Sequence, residues 1–599
     1  VSAAPVARRG GPRARVALTL WAQALLAACD AAPRAGGGAR AGAGAGASAG
    51  VSAEAEAGAG AGASAGVSAE AGAGASAGAS AEASAGASAG AGAGAGAGAS
   101  AGAGAGASAG ASADAGAEGG AEGGAEGGAG AGGEDPWRAE AAALARDGVL
   151  PLPRPPQRPG DAAEGYRYLL YGDYVAGGLP IEVFRRLIPN ENPANELGRE
   201  GDSAELPRSF NAFDMPGGVR VVGGVTCLGC HSSYLNGELV VGLGNSFIDY
   251  TEPSASGIVT LINAYITRTY GAQSPEWAAF EELSRGSARI APYSLAPFRG
   301  VNPAFLIEAA AASQRDPVTL RWLPAPSYAP PLPPAGLSSD TPPWWNVKKK
   351  GALYYNGMGR GDFPKLLMQV SAVAVRDAAQ AAAIHAHFDD VLAWLEALTP
   401  PPFPAAVDAA RAAAGRGVFE GTCARCHGTY DADPALETYP SLLVSLAEVG
   451  TDPAYALQSS AAPELSRWLN GGWYGAPTGE AGARMQASPL EGYVAPPLDG
   501  VWATAPYLHN GAVPTLAALL HSPSRPARWR RDFTSSRYDL SAVGWPHEPL
   551  PPAAPGEATA GAASVYDTAL VGYGAGGHTF ADHLDEESRA ALLEYLKTL

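Results

Sequence analysis

Positive charge is the first thing this sequence has little of. Forty Lys and Arg stand against 58 Asp and Glu in 599 residues, a formal net charge of −18. That balance argues against nucleic acid as a partner, because phosphate contacts are made by Lys and Arg. It leaves room for a basic redox partner protein or for a small-molecule oxidant. A long apolar run is missing at the N-terminus, where one would mark a membrane span. The mostly apolar stretch from Val16 to Ala28 has 13 residues, short of the roughly 20 that a spanning helix needs. Cysteine is scarce as well: there are five, at Cys29, Cys227, Cys230, Cys423 and Cys426. Four of them fall into two CxxC pairs, so each needs a chemistry assigned before any disulfide is considered.

Arg8, Arg9, Arg13 and Arg15 precede the short apolar stretch, the layout of a signal peptide over residues 1–28. The segment Leu26-Ala27-Ala28-Cys29 resembles the lipobox of bacterial lipoproteins. That resemblance implies acylation of Cys29 and a membrane held through a lipid anchor. Residues 29–133 lack aromatics and apolar periodicity, and from about Gly36 to Gly133 are almost wholly Gly, Ala and Ser with scattered Glu. Such a stretch cannot repay the entropy of folding. It is expected to be a disordered linker with an r.m.s. span of roughly 50–60 Å. A silk-like β-stack is the rival reading, disfavoured by the interspersed Glu.

Cys227-Leu228-Gly229-Cys230-His231 and Cys423-Ala424-Arg425-Cys426-His427 are both CxxCH, the attachment pattern of c-type haem. Two thiols add across the vinyl groups, and the adjacent histidine becomes an iron ligand. A Cys₄ zinc site would use the same cysteines and leave both histidines without a purpose. A thioredoxin-like motif needs one CxxC and no histidine. Two covalently bound haem c groups, with iron on His231 and His427, therefore account for four cysteines and leave Cys29 for lipid.

Residues 408–420 read as a helix leading into the second motif. A closing helix follows Asp585, with Leu592, Tyr595, Leu596 and Leu599 on one face. Residues 384–398 read as one further helix, stopped by Thr399-Pro400-Pro401-Pro402. A helical segment is also expected around Tyr166 to Leu170, and the Pro-rich stretch 299–343 is expected to be irregular. The expected fold is mainly α: two cytochrome c-like haem domains with long irregular loops, 134–402 and 403–599, after the linker.

The run from Ala495-Pro496-Pro497-Leu498-Asp499-Gly500-Val501-Trp502 through Tyr507-Leu508-His509-Asn510-Gly511 resembles the bacterial di-haem cytochrome c peroxidase superfamily. With Gly577-His578-Thr579-Phe580, Trp344-Trp345 and Lys348-Lys349-Lys350, it looks closest to the rubber-oxygenase-like branch. The resemblance covers roughly 160–599. It implies a reactive haem on His231 and an electron-transfer haem on His427 with His578 as second ligand. Other candidates for that ligand are His509, His521, His547, His583 and Met485. His509 is more simply a packing or propionate partner.

No histidine lies between His231 and His385, so few local ligands are available to the first iron. Met215, Met358, His385 and His387 remain. Trp344 or Trp345 is a candidate to carry electrons between the haems or simply to fill core, and His509 is a third candidate catalytic residue. The lysines after the tryptophans read as a solvated face or as propionate partners. The sequence is thus consistent with an extracytoplasmic haem oxidoreductase that uses peroxide or dioxygen. A pure electron carrier with two six-coordinate haems is the alternative. A peroxidase wants a distal acid/base, and no residue of the sequence stands out as one.

Overall fold

The computed structural model describes residues 135–187, 195–252, 256–332, 337–479, 482–554 and 563–599. The signal peptide, Cys29 and the Gly/Ala/Ser linker lie outside the described residues.

Short strands are the feature that the sequence reading missed. Among the described residues, thirteen strands make five small sheets. The architecture is therefore mixed helix and sheet, which corrects the expected mainly α fold. Nor do two separate cytochrome c-like haem domains emerge: residues 133–599 cluster as one compact unit. The physical reason is long-range pairing. Val149–Pro151 pairs antiparallel with Leu442–Ser445, which also pairs with Gly492–Val494. Gly359–Gly361 pairs with Met485–Ala487. Strands of three or four residues carry almost no alternation to read, and their partners lie far away in sequence.

The buried clusters cross the expected boundary in the same way. One unites Tyr234, Phe247 and Trp345 with Phe419, Trp502 and Leu592. Another unites Leu228, Trp344 and Phe388 with Trp468 and Met485.

The helices expected from periodicity are present. Ala409–Thr422 starts at Asp408, whose carboxylate accepts from the Ala410 and Arg411 amides. It buries Ala412, Gly415 and Phe419 against Glu586–Leu596, which Asp585 caps through the Ser588 amide. Gly415 permits the crossing, since a Cβ there would stand 1.9 Å from the Ala591 carbonyl oxygen. Gly415→Ala is expected to lower stability by about 1–3 kcal/mol through overpacking. An unchanged melting temperature would show that the two helices can simply move apart.

Ala162–Tyr171, capped by Asp161, packs on Phe388–Ala397. The single helix expected over 384–398 is in fact two, Ala378–His385 and Phe388–Ala397. The Pro-rich stretch 299–343 is not wholly irregular: Ala304–Ser313 is a helix within it, started after Pro303 by an alanine-rich run. No helix among the described residues is long and apolar enough to cross a membrane.

Candidate haem-binding sites

The hairpin Phe210–Met215 with Val219–Gly224 delivers the chain to a one-turn helix, Cys227–Cys230. A second hairpin, Ser232–Leu235 with Glu238–Val241, follows His231 at once. Asn245 ties the turn to the motif, donating from its backbone to the Cys230 carbonyl and from its side chain to the Gly229 carbonyl. The Gly242 amide donates to the His231 carbonyl, and the Trp344 amide to the Gly242 carbonyl at 2.8 Å. This ladder sets the Trp344 indole flat against the His231 imidazole, with ring centres 4.5 Å apart and planes 16° apart. Burial pushes the His231 pKa down to about 3, so the ring is the neutral, metal-binding form.

At the second motif, Ala409–Thr422 runs into the short helix Ala424–His427. The His427 Nδ1–H donates to the Pro496 carbonyl at 2.8 Å. That bond fixes the tautomer and leaves Nε2 as the free lone pair, the arrangement of a metal-ligating histidine. Burial lowers the His427 pKa. His578 approaches from a glycine-rich loop in the left-handed region, φ 45°. Its amide donates to the Val449 carbonyl. Arg525 holds the loop through the Ala575, Gly577 and His578 carbonyls at 2.6–2.9 Å. Gly577 permits this packing, since a Cβ on it would lie 2.1 Å from the Gly450 carbonyl carbon.

Two observations test whether these residues fit haem. Two imidazoles bonding one metal from opposite sides, each through a bond of about 2 Å, place their ring centres about 6 Å apart. Those of His427 and His578 are 6.2 Å apart, and the His578 Nδ1 is buried without a partner. Second, burial lowers the pKa of His231, His427 and His578 alike, which keeps each ring neutral and able to bind a metal. The donor set fits haem iron and not zinc. Among the described residues the four cysteines are unbridged, and no three His, Cys, Asp or Glu side chains converge on a point that could hold a bare metal ion.

The structure sorts the remaining histidines and methionines. His509 sits in a tyrosine box, stacked on Tyr493 at 4.1 Å with Tyr455 and Tyr355 alongside. His547 bonds the Trp545 carbonyl, and His583 is exposed. His385 meets Arg158 at 3.3 Å, and His387 stacks on Tyr168. Met485 belongs to the cluster that holds Cys227, not the one that holds Cys423. Met215 lies in a separate small cluster. Met358 shares the cluster with Cys227 and Trp344.

One loop joins the two sites. Pro496 accepts from His427, Pro497 from the Asn346 amide side chain at 2.9 Å, and Asp499 from the Trp345 indole at 2.8 Å. Trp344 thus lies on His231, while its neighbour Trp345 is bonded to the loop that orients His427. The lysines are not a solvated face. Lys349 pairs with Glu437 and Asp499, both at 2.7 Å, and Lys348 donates to the Leu398 carbonyl. Lys350 is buried, with its pKa pushed down to about 8.

Glu308 was missed by the sequence reading. Its Oε1 is buried without a partner, and burial pushes its pKa up to about 8. Its charge acts on Tyr328, Tyr354, Tyr455 and Tyr474. One acid in an alanine-rich run was the available signal, and it was passed over because the stretch read as irregular.

Two proteins of Sinorhizobium fredii (strain NBRC 101917 / NGR234) are similar to this chain. Uncharacterized protein y4iM is 28% identical over 309 residues, 45% of this chain and 67% of that protein. Uncharacterized protein y4iJ is 28% identical over 259 residues, 34% of this chain and 41% of that protein. The chain therefore covers less than half the length of the second relative. Residues 492–530, which include Pro496, Pro497, Asp499 and the tyrosine-boxed His509, match the family model described as RoxA-like, cytochrome c-like. The match supports a relation to RoxA-like, cytochrome c-like proteins, and with it suggests a c-type cytochrome and haem c.

Proposed function

We propose that this chain is a di-haem c-type cytochrome acting outside the cytoplasm as an oxidoreductase. Cys227, Cys230 and His231 would hold one haem. Cys423, Cys426 and His427, with His578, would hold the second. The observation that carries the reading is the contrast between the two histidines. His427 faces a second imidazole at 6.2 Å, whereas the ring in contact with His231 is the Trp344 indole, which lies on the flat of the imidazole and offers no ligand atom. An iron with two protein ligands suits electron transfer, and one with a vacant side suits binding of peroxide or dioxygen.

Bound haem supplies the redox and oxygen-binding chemistry. The chain's own residues orient and insulate it. The Pro496 carbonyl fixes the His427 tautomer, and the loop at residues 496–499 couples Trp345 to that ring. Glu308, a buried carboxyl on a helix that packs into the same apolar cluster as Cys227 and Trp344, can hold a proton at neutral pH. Lys350 is a candidate partner for a propionate. Export by the signal peptide, a lipid anchor on Cys29 and a redox partner protein complete the proposal.

The test is a carbon-monoxide difference spectrum of the reduced holoprotein, quantified per haem. Binding to about one haem of two is expected. No binding would favour the pure electron carrier. Met358, which shares the cluster with Cys227, would then be the first ligand to examine.

A further inference from the structure

A line of aromatic rings leads from His231 in a direction that avoids the second site. Trp344 lies parallel to the His231 ring at 4.5 Å, Trp394 meets Trp344 edge-on at 5.9 Å, and Tyr166 stacks on Trp394 at 4.8 Å and 14°. Trp344 is almost wholly buried, whereas Trp394 and Tyr166 are both partly accessible. The line therefore runs from a candidate iron ligand to solvent.

The contact at its outer end is held by several independent devices. Gly165 precedes Tyr166, and a Cβ there would stand 2.0 Å from the Asp390 carbonyl oxygen. Gly160 likewise lets the chain lie on Asp389, where a Cβ would come within 2.3 Å of the carbonyl oxygen. The Asp161 amide donates to the Asp390 carboxylate at 2.7 Å. Arg158 bridges Asp389 and the buried Asp362. These close approaches clamp Ala162–Tyr171 to Phe388–Ala397 and keep Tyr166 and Trp394 in register.

We propose that His231, Trp344, Trp394 and Tyr166 form an electron port, through which a one-electron donor at the Tyr166 edge reduces the group held by His231 without using the His427–His578 site. The step is a single electron passing from donor to ferric iron along the rings. No bond is made or broken and no proton moves, so the donor is a reduced metalloprotein or an equivalent outer-sphere reductant. The adjacent tryptophans then divide two routes, Trp344 toward the surface and Trp345 toward His427. This inference rests on the reading of a haem at His231.

The test uses the holoprotein with a ruthenium photosensitiser attached at Arg167→Cys, an exposed position beside Tyr166. Haem content is measured first, and the rate of haem reduction after a flash is then read by transient absorption. Trp394→Leu is expected to slow that reduction by about tenfold or more, while Trp394→Phe, which keeps a ring, retains most of the rate. Equal rates in the parent and Trp394→Leu would overturn the port with the haem reading intact. So would an equal loss in the Leu and Phe variants, since that would mark a packing defect. A haem content of one per chain, absent from the His231 motif, would overturn the reading beneath it.

Discussion

His578→Gly is expected to convert one haem signal from low-spin to high-spin and to raise carbon-monoxide binding by about one equivalent per chain. Glycine is the right replacement because residue 578 has φ 45°, which a glycine adopts without strain. The loop should stay in place, since Arg525 holds it through three backbone carbonyls and not through the imidazole. The signal of the haem on His231 should not change. His509→Ala is the matched control. That ring is also buried and histidine, but it is enclosed by Tyr493, Tyr455 and Tyr355. Its loss should cost packing without changing spin state. An unaltered spectrum in His578→Gly would remove His578 as a ligand, and a spin change in His509→Ala would transfer the role to that residue.

The second large effect concerns Glu308 and pH. Its carboxyl titrates near 8 in the fold because burial penalises the charge, against about 4.3 in the unfolded chain. The folded state therefore holds a proton that the unfolded state has lost. Stability contributed by this group is fully present below about pH 4.3 and falls as pH rises toward 8, beyond which it is flat. The loss amounts to at most about 5 kcal/mol. Glu308→Gln keeps the shape and cannot ionise, so its melting temperature should equal that of the parent near pH 4 and exceed it increasingly up to pH 8. Parallel melting curves across that range would mean that Glu308 is solvated or paired in solution. The same measurement bears on mechanism, because a carboxyl that stays protonated at neutral pH can donate a proton to a reacting oxygen.

Much of the local structure was legible in the sequence, for stated reasons. Asp408 and Asp585 stand before apolar residues at helical spacing, and both are N-caps in the fold. The helix around Tyr166 is present over Ala162–Tyr171. These elements rest on interactions three or four residues apart, which any window of the chain contains. The break between His385 and Phe388 was not legible, because the apolar face continues across it. The helix carrying Glu308 was hidden by the prolines around it. The small sheets were hidden by their length and by partners such as Leu442–Ser445, which lie nearly 300 residues from the strand they pair with.

By itself, the sequence determined the covalent chemistry on offer: two CxxCH motifs, with each histidine fixed next to its cysteines by the chain. It also determined the acidic balance and the capped helices, all of which follow from composition or short-range spacing. What faces each histidine was decided only by tertiary structure. Val449, Gly450 and Arg525 bring the His578 loop to 6.2 Å from His427, and Gly242 brings Trp344 onto His231. The facing rings, His427 with His578 and His231 with Trp344, come from residues more than a hundred positions apart, so no local pattern specifies them. They exist because backbone hydrogen bonds and glycine-permitted close approaches hold distant segments in one packed body.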